Sequence, residues 1–327
     1  MQVRELSDGQ EFEQALLVRA AEPRTARDGR ALLRLRLGDR SGSITAVVRE
    51  PGEQDRTLLR GGAVVWVRAR YEVDERYGPQ LALEAWREAA PHEFNRLDLT
   101  AGPPRSPEQM EADLRALLAT IRDEHLRTLL DGVFGAQTAS WERFRAAPAA
   151  KYYHQAYRHG LLEHSLTVAQ GVSAMAATFP GIDRDVAVTG ALLHDVGKLD
   201  AYTSEEPIEL TDAGRLQGEI ALGYHTVREL IERIDGFPPP LAQAILHIIL
   251  SHHGSLAHGS PVVPCTREAT LVHMIDNLGG RLGSFDRIER ELPPGATWSS
   301  WDKALGAGAY FPDAAGSPAP ADSELAA

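Results

Sequence analysis

The chain has 327 residues, 43% of them hydrophobic and 24% charged, with a formal net charge of −12 and a single cysteine. That length exceeds one ordinary core and fits about two domains of roughly 100–200 residues each. The lone Cys265 excludes internal disulfides and thiolate metal clusters, and the acidic balance argues against coating nucleic acid by charge alone. A basic N-terminal region leading into an apolar run is missing, as is any apolar run of about 18 residues, so the expected location is cytoplasmic.

Charge and histidine are unevenly spread. Residues 1–95 hold 15 Arg against 16 Asp and Glu, and the remainder carries 19 Lys and Arg against 30 acids. Ten of the twelve histidines lie between His154 and His273. Residues 10–90 predict β structure: apolar or alternating runs at 15–18, 31–37, 44–48, 64–69 and 81–86 are separated by Asp28-Gly29, Asp39-Arg40-Ser41-Gly42, Arg60-Gly61-Gly62 and Tyr77-Gly78-Pro79. Five short strands with these turns resemble the OB-fold, whose barrels bind single strands across strands two and three. Candidate contacts are Arg34, Arg36, Arg49, Tyr71 and Tyr77, whereas Trp66 and Trp86 alternate with apolar neighbours and are expected in the core.

Residues 91–106 read as a linker. Ser106-Pro107-Glu108 then supplies an N-cap, a first-turn proline and an acidic first turn, and apolar positions from Met110 to Leu130 predict one bracing helix. The expected division is an OB-like barrel over 1–95, linker and brace over 96–140, a helical domain over 141–311 and a disordered tail over 312–327.

Within the helical part, His164 lies on or beside the apolar stripe of Leu161, Leu162, Leu166 and Val168. A helix over about 183–197 delivers the pair His194-Asp195, with Gly197-Lys198 following, and a further helix is expected over 216–234. The helix over 241–250 ends in Ser251-His252-His253-Gly254, and one from about 268 carries Asp276. One such histidine is commonly a satisfied polar group beside a core. Six imidazoles and carboxylates from four helices instead suggest a site for a divalent metal such as Mn, Fe, Co, Ni or Zn.

The motifs Gly160-Leu161-Leu162-Glu163-His164, Leu193-His194-Asp195-Val196-Gly197-Lys198, Gly214-x-Leu216-x-Gly218, Ser251-His252-His253-Gly254 and His273-Met274-Ile275-Asp276-Asn277 follow Ala147-Pro148-Ala149-Ala150-Lys151-x-x-His154. Together they resemble the YhaM family of 3′→5′ exoribonucleases, which pair an OB-fold with an HD-type metal phosphohydrolase domain. The resemblance covers roughly residues 10–310. It implies a multidomain α and β protein in which an N-terminal barrel and a linker helix precede an all-α HD bundle.

The resemblance also implies that His164, His194, Asp195 and Asp276 hold one metal, and that Asp195 bridges to a second held by His252, His253 and a residue after Gly214. Family members usually have His where this chain has Glu219. A carboxylate there can keep the site and shift it toward Mn or Mg, whereas His225, six residues on and about 240° further round a helix, cannot take the same place. Mn is the first candidate, with Co, Fe, Ni, Zn and Mg as the others. Asp195, Lys198 and His154 are the implied catalytic set, with Lys198 offsetting charge on a phosphate oxygen. The family's paired histidines are here His154-Gln155, and His159 reads as a surface residue. The implied reaction is hydrolysis of single-stranded RNA, or single-stranded DNA, to 5′-mononucleotides. Two other readings stand beside it: an HD-type phosphohydrolase of nucleotides or cyclic dinucleotides, and a non-catalytic single-strand-binding protein whose HD site has decayed at Glu219.

Overall fold

Period-two alternation gives five strands in the computed structural model: β1 (Glu11–Thr25), β2 (Ala31–Asp39), β3 (Gly42–Arg49), β4 (Val64–Asp74) and β5 (Gly78–Glu88), with helix α1 (Glu53–Leu58) between β3 and β4. The described residues are 2–26, 29–74, 78–99, 102–151, 155–203, 208–292 and 296–312. The strands close in the order β1-β2-β3-β5-β4, with β4 returning to β1. Among the described strands, only β3 and β5 run parallel. This order is that of the OB-fold, and the strands close into a barrel.

Strand parity sorts the side chains. Leu33, Leu35 and Leu37 of β2 and Val65, Val67, Ala69 and Tyr71 of β4 point into the core with Leu16 and Val18. The opposite parity of β2 and β3 faces outward, and register places Arg34 opposite Val47, Arg36 opposite Thr45 and Leu32 opposite Arg49. Trp66 departs from expectation. It shares the outward parity of β4 and lies half-buried with the Arg87 guanidinium 4.7 Å above its ring. Trp86 packs against the core as expected, its indole N–H donating to Asp55 at 2.9 Å.

Helices follow: α2 (Arg96–Leu99), α3 (Pro107–Leu118), α4 (Glu124–Phe134), α5 (Ala139–Ala146), α6 (Gly160–Ala176), α7 (Arg184–Leu193), α8 (Lys198–Ala201), α9 (Asp212–Gln217), α10 (Glu219–Glu232), α11 (Pro239–Ser251) and α12 (Arg267–Glu291). The chain divides into two compact units, Met1–Leu99 with Ser284–Ala327, and Thr100–Gly283. The second has its own apolar core, including Leu114, Leu126, Phe134, Leu162, Leu192 and Ile248. None of the described helices is long and apolar enough to cross a membrane. The expected tail lies outside the described residues from 313 onward.

Two expected helices are each split. Ser106 caps α3 through the amide of Gln109 as its motif predicts, but Asp123 accepts from Leu126 N–H and starts α4 afresh, so the brace is two helices. The stretch 216–234 breaks at Gly218, whose φ of 78° is open to glycine and strained for other residues. That break makes Glu219 the first residue of α10. Gly197 tightens the same region, because a Cβ there would run into the backbone of Glu219 and Gly223.

Candidate metal centre

Helix ends build the site. Buried His164 stands in the first turns of α6 and His194 caps the C-terminus of α7, so that Asp195 falls in the turn before α8. His252 caps α11, His253 follows it, and Asp276 lies on α12. Nε2 of His164 is 3.1 Å from Asp276 Oδ1, 3.2 Å from Asp195 Oδ2 and 3.2 Å from His194 Nε2. His194 Nε2 is 3.3 Å from Asp195 Oδ2 and 3.8 Å from Asp276 Oδ1. On the other side of Asp195, His252 Nε2 is 3.5 Å from Oδ1, and His253 Nε2 is 3.3 Å from Glu219 Oε1. Two groups result, His164 with His194 and Asp195, and Glu219 with His252 and His253.

The far side of each imidazole fixes its tautomer. Nδ1 of His194 donates to Ala191 O at 2.7 Å, His252 to Ile249 O at 2.8 Å and His253 to His258 O at 3.0 Å, while His164 Nδ1 donates to Gln155 Oε1 at 3.1 Å. Four Nε2 atoms are thereby turned toward the carboxylates, as metal-ligating histidines require. Asp195 Oδ1 and His252 Nε2 are buried with no hydrogen-bond partner. Such atoms are costly in a folded chain unless something else satisfies them. Orphaned atoms of Asp195 and His252 that face each other, among imidazole and carboxylate neighbours, fit a divalent cation.

Electrostatics agree. Burial alone would push the His194 imidazole down, but the Asp195 and Asp276 carboxylates outweigh it and raise it to about 10. His164 is raised by the same two carboxylates against the same burial. Burial also opposes ionisation of Asp195, yet Lys198, 2.6 Å from Oδ2, and then His194 hold its carboxyl well below the usual range. Asp276 is held low by His164 and His194, and Glu219 by Lys198 and His253, each against burial. Burial pushes the His252 imidazole below its ordinary value.

Protonated His194 stabilises the metal-free fold fully below its ordinary 6.5, and that contribution is lost as pH rises through about 10. A cation must displace this proton, so Mn affinity should climb with pH until about 10. Calorimetry in buffers of different ionisation enthalpy should show net proton release; pH-independent binding would contradict it.

Lys198 lies against Asp195, and Glu219 joins His252 and His253. His225 is 72% exposed, 3.7 Å from Glu229 on the outside of α10. Arg34 and Arg49 are exposed on β2 and β3, and half-buried Arg36 donates to Ser43 Oγ at 2.6 Å. Tyr71 is a correction: at 6% exposure it belongs to the barrel core, because it shares parity with Val65 and Val67, and it offers no face to a base. Tyr77 and His154 lie outside the described residues. His159 is half-buried rather than a surface residue, its ring fixed to Arg145 O at the start of α6.

Gln155 was not among the sequence candidates, and neither was the buried pair of Glu163 and Tyr157, whose hydroxyl donates to Glu163 Oε2 at 2.6 Å. The one available signal was Gln155 standing beside His154 where the resembled family pairs two histidines. Because its carbonyl oxygen holds the His164 tautomer, Gln155→Leu should weaken Mn binding about 10–100-fold, as loss of an outer partner does. Calorimetry reads the affinity, and a melting curve in chelator should stay near that of the parent.

Comparison with known proteins meets this geometry. A family model described as HD domain matches residues 161–280. The 3'-5' exoribonuclease YhaM of Bacillus subtilis is 28% identical over 292 residues, covering 88% of this chain and 90% of its own. That of Halalkalibacterium halodurans is 26% identical over 289 residues, covering 88% of each. The chain is a homologue of the YhaM proteins. Its HD match spans His164, His194, Asp195, Glu219, His252, His253 and Asp276, and its likeness to YhaM extends over most of both chains. Among solved structures, the second OB-fold domain of replication protein A from Methanococcus maripaludis aligns with 27% of this chain and 92% of its own, at 19% identity and a TM-score of 0.22. The barrel here is assigned from its own strand order.

Proposed function

We propose that this protein is a metal-dependent 3′→5′ exonuclease that hydrolyses single-stranded RNA to 5′-mononucleotides. The observation that carries the reading is Asp195, a buried carboxylate with one oxygen among His164, His194 and Lys198 and the other unpartnered toward His252. It occurs in a homologue of proteins named 3'-5' exoribonuclease. His164, His194, Asp195 and Asp276 would hold one cation, and Glu219, His252 and His253 a second, with Asp195 offering an oxygen to each. Mn suits this mixture of imidazole and carboxylate. When bound, such ions supply Lewis acidity toward the phosphodiester and a nucleophile at neutral pH.

The chain's own groups do the rest. Lys198 keeps Asp195 ionised and brings a fixed positive charge toward a non-bridging phosphate oxygen, where charge builds as the bond breaks. His154 is the sequence candidate for a further substrate contact. In the barrel, Arg34, Arg36 and Arg49 track phosphates of the upstream strand, whose release of counterions makes binding salt-dependent. Removing Arg34 and Arg49 together should flatten the slope of log affinity against log salt by about 1.4, at roughly 0.7 per single-strand phosphate contact. Filter binding across a salt series in chelator reads it, and an unchanged slope would remove these two contacts.

The test of the reading is a time course on 5′-labelled RNA and DNA of equal sequence with Mn, Mg or chelator, resolved at single-nucleotide length. A metal-dependent descending ladder with 5′-mononucleotide products is expected. Binding without shortening under every metal would favour a non-catalytic protein. Turnover of nucleotides or cyclic dinucleotides alone would replace the substrate class.

A further inference from the structure

A sequence-tolerant grip on a single strand has two halves, cations for phosphates and flat aromatic faces for bases. The barrel presents the first in Arg34 and Arg49. Among its described residues the second is poorly served: Phe12 and Tyr71 are buried, Trp86 packs on the core and Trp66 is capped by Arg87.

Exposed aromatic rings gather instead on residues 297–311, which belong to the same compact unit as the barrel. Trp298 is 62% exposed, Trp301 67% and Tyr310 52%. Their frame is pinned. Bridges join Trp298 to Tyr310 and Asp302 to Ala307, with Ser299 N–H donating to Ala309 O at 2.9 Å and Phe311 N–H to Thr297 O at 2.8 Å. The Asp302 carboxylate accepts from Arg287 and from the amides of Ala304 and Leu305. The Trp298 and Tyr310 ring centroids are 4.9 Å apart with a 39° tilt, so the rings support one another.

Their surroundings favour a nucleic-acid strand over a second copy of the chain. Ser299, Ser300, Gly306, Ala307 and Gly308 lie between the rings in the chain, small residues that leave Trp298, Trp301 and Tyr310 exposed. The charged residues of this segment are Asp302 and Lys303, and Asp302 is compensated by Arg287. A polyanion therefore meets no uncompensated carboxylate on the hairpin.

We propose that Trp298, Trp301 and Tyr310 form a base-stacking platform for single-stranded RNA, which rests on the exoribonuclease reading above and adds aromatic faces to its grip. The test uses the full chain in chelator and a labelled oligouridylate of about 12 nucleotides, within the usual range for such sites. Trp298→Ala, Trp301→Ala and Tyr310→Ala should each raise Kd about tenfold, the effect of losing one stacked base. Trp298→Phe and Tyr310→Phe should restore most of the affinity. The salt slope and the metal-dependent hydrolysis of a dinucleotide should stay at parental values. Alanine variants that bind RNA like the parent would overturn the platform, and so would variants that change only the molecular mass in light scattering, which would mark a face between copies. A parent chain that shortens RNA while its variants bind normally overturns the platform alone; one that neither binds nor shortens RNA overturns both readings.

Discussion

Asp195→Ala is expected to abolish metal-dependent RNA hydrolysis, a loss on the order of 10²–10³ in kcat at the least, which is the usual effect of deleting one preorganised electrostatic group. The residue stands between the two halves of the site, 3.2 and 3.3 Å from His164 and His194 and 3.5 Å from His252. Its loss strips an oxygen from both groups at once. It also strands Lys198, whose ammonium lies 2.6 Å from the carboxylate, and breaking a buried pair costs about 3–5 kcal/mol. Asp195→Asn keeps the volume and a carbonyl oxygen, so it separates the two effects. It should lose Mn binding and hydrolysis with a smaller fall in melting temperature in chelator. Either variant retaining wild-type turnover would remove Asp195 from the catalytic set.

Glu219 carries the second large effect. It opens α10 immediately after Gly218, and its carboxylate faces His253 at 3.3 Å, with Lys198 holding it ionised. Glu219→Gln removes the charge and keeps the shape, and should weaken the second cation by more than the 10–100-fold typical of losing an outer partner. Glu219→His returns a ligand of the type the resembled family uses, so binding should recover and shift from Mn toward Zn or Ni. Metal titration of the three proteins checks this. Indifference to both changes would place the second ligand elsewhere.

Much of this architecture was legible in the sequence. Five strands could be read because period-two alternation and Gly turns are local signals, and the structure extends each strand where polar residues fill outward positions. The candidate ligands are legible because His194-Asp195 and His252-His253 sit at the ends of apolar helical runs. Failures have physical causes. Apolar neighbours suggest a core place for Trp66 and an aromatic ring suggests a base contact for Tyr71, yet parity with Val65 and Val67 decides which way each ring points. Apolar periodicity ran through Gly218 and Asp123 because it does not register a single φ or a capping carboxylate. Gln155 acts through one carbonyl oxygen on His164, and a carboxamide in a loop has no periodic signature. The exposed rings of Trp298, Trp301 and Tyr310 were missed because the exposure of a short aromatic segment has no periodic signature.

The measurement that tests the central claim most directly is anomalous scattering from crystals of the Mn-loaded protein, with Asp195→Asn crystals as the control. Two peaks are predicted in the parent, one among His164, His194 and Asp276 and one among Glu219, His252 and His253, with Asp195 touching both, and neither at full strength in the variant. A parent with no Mn at these residues, or with Mn unaffected by Asp195→Asn, would contradict the account.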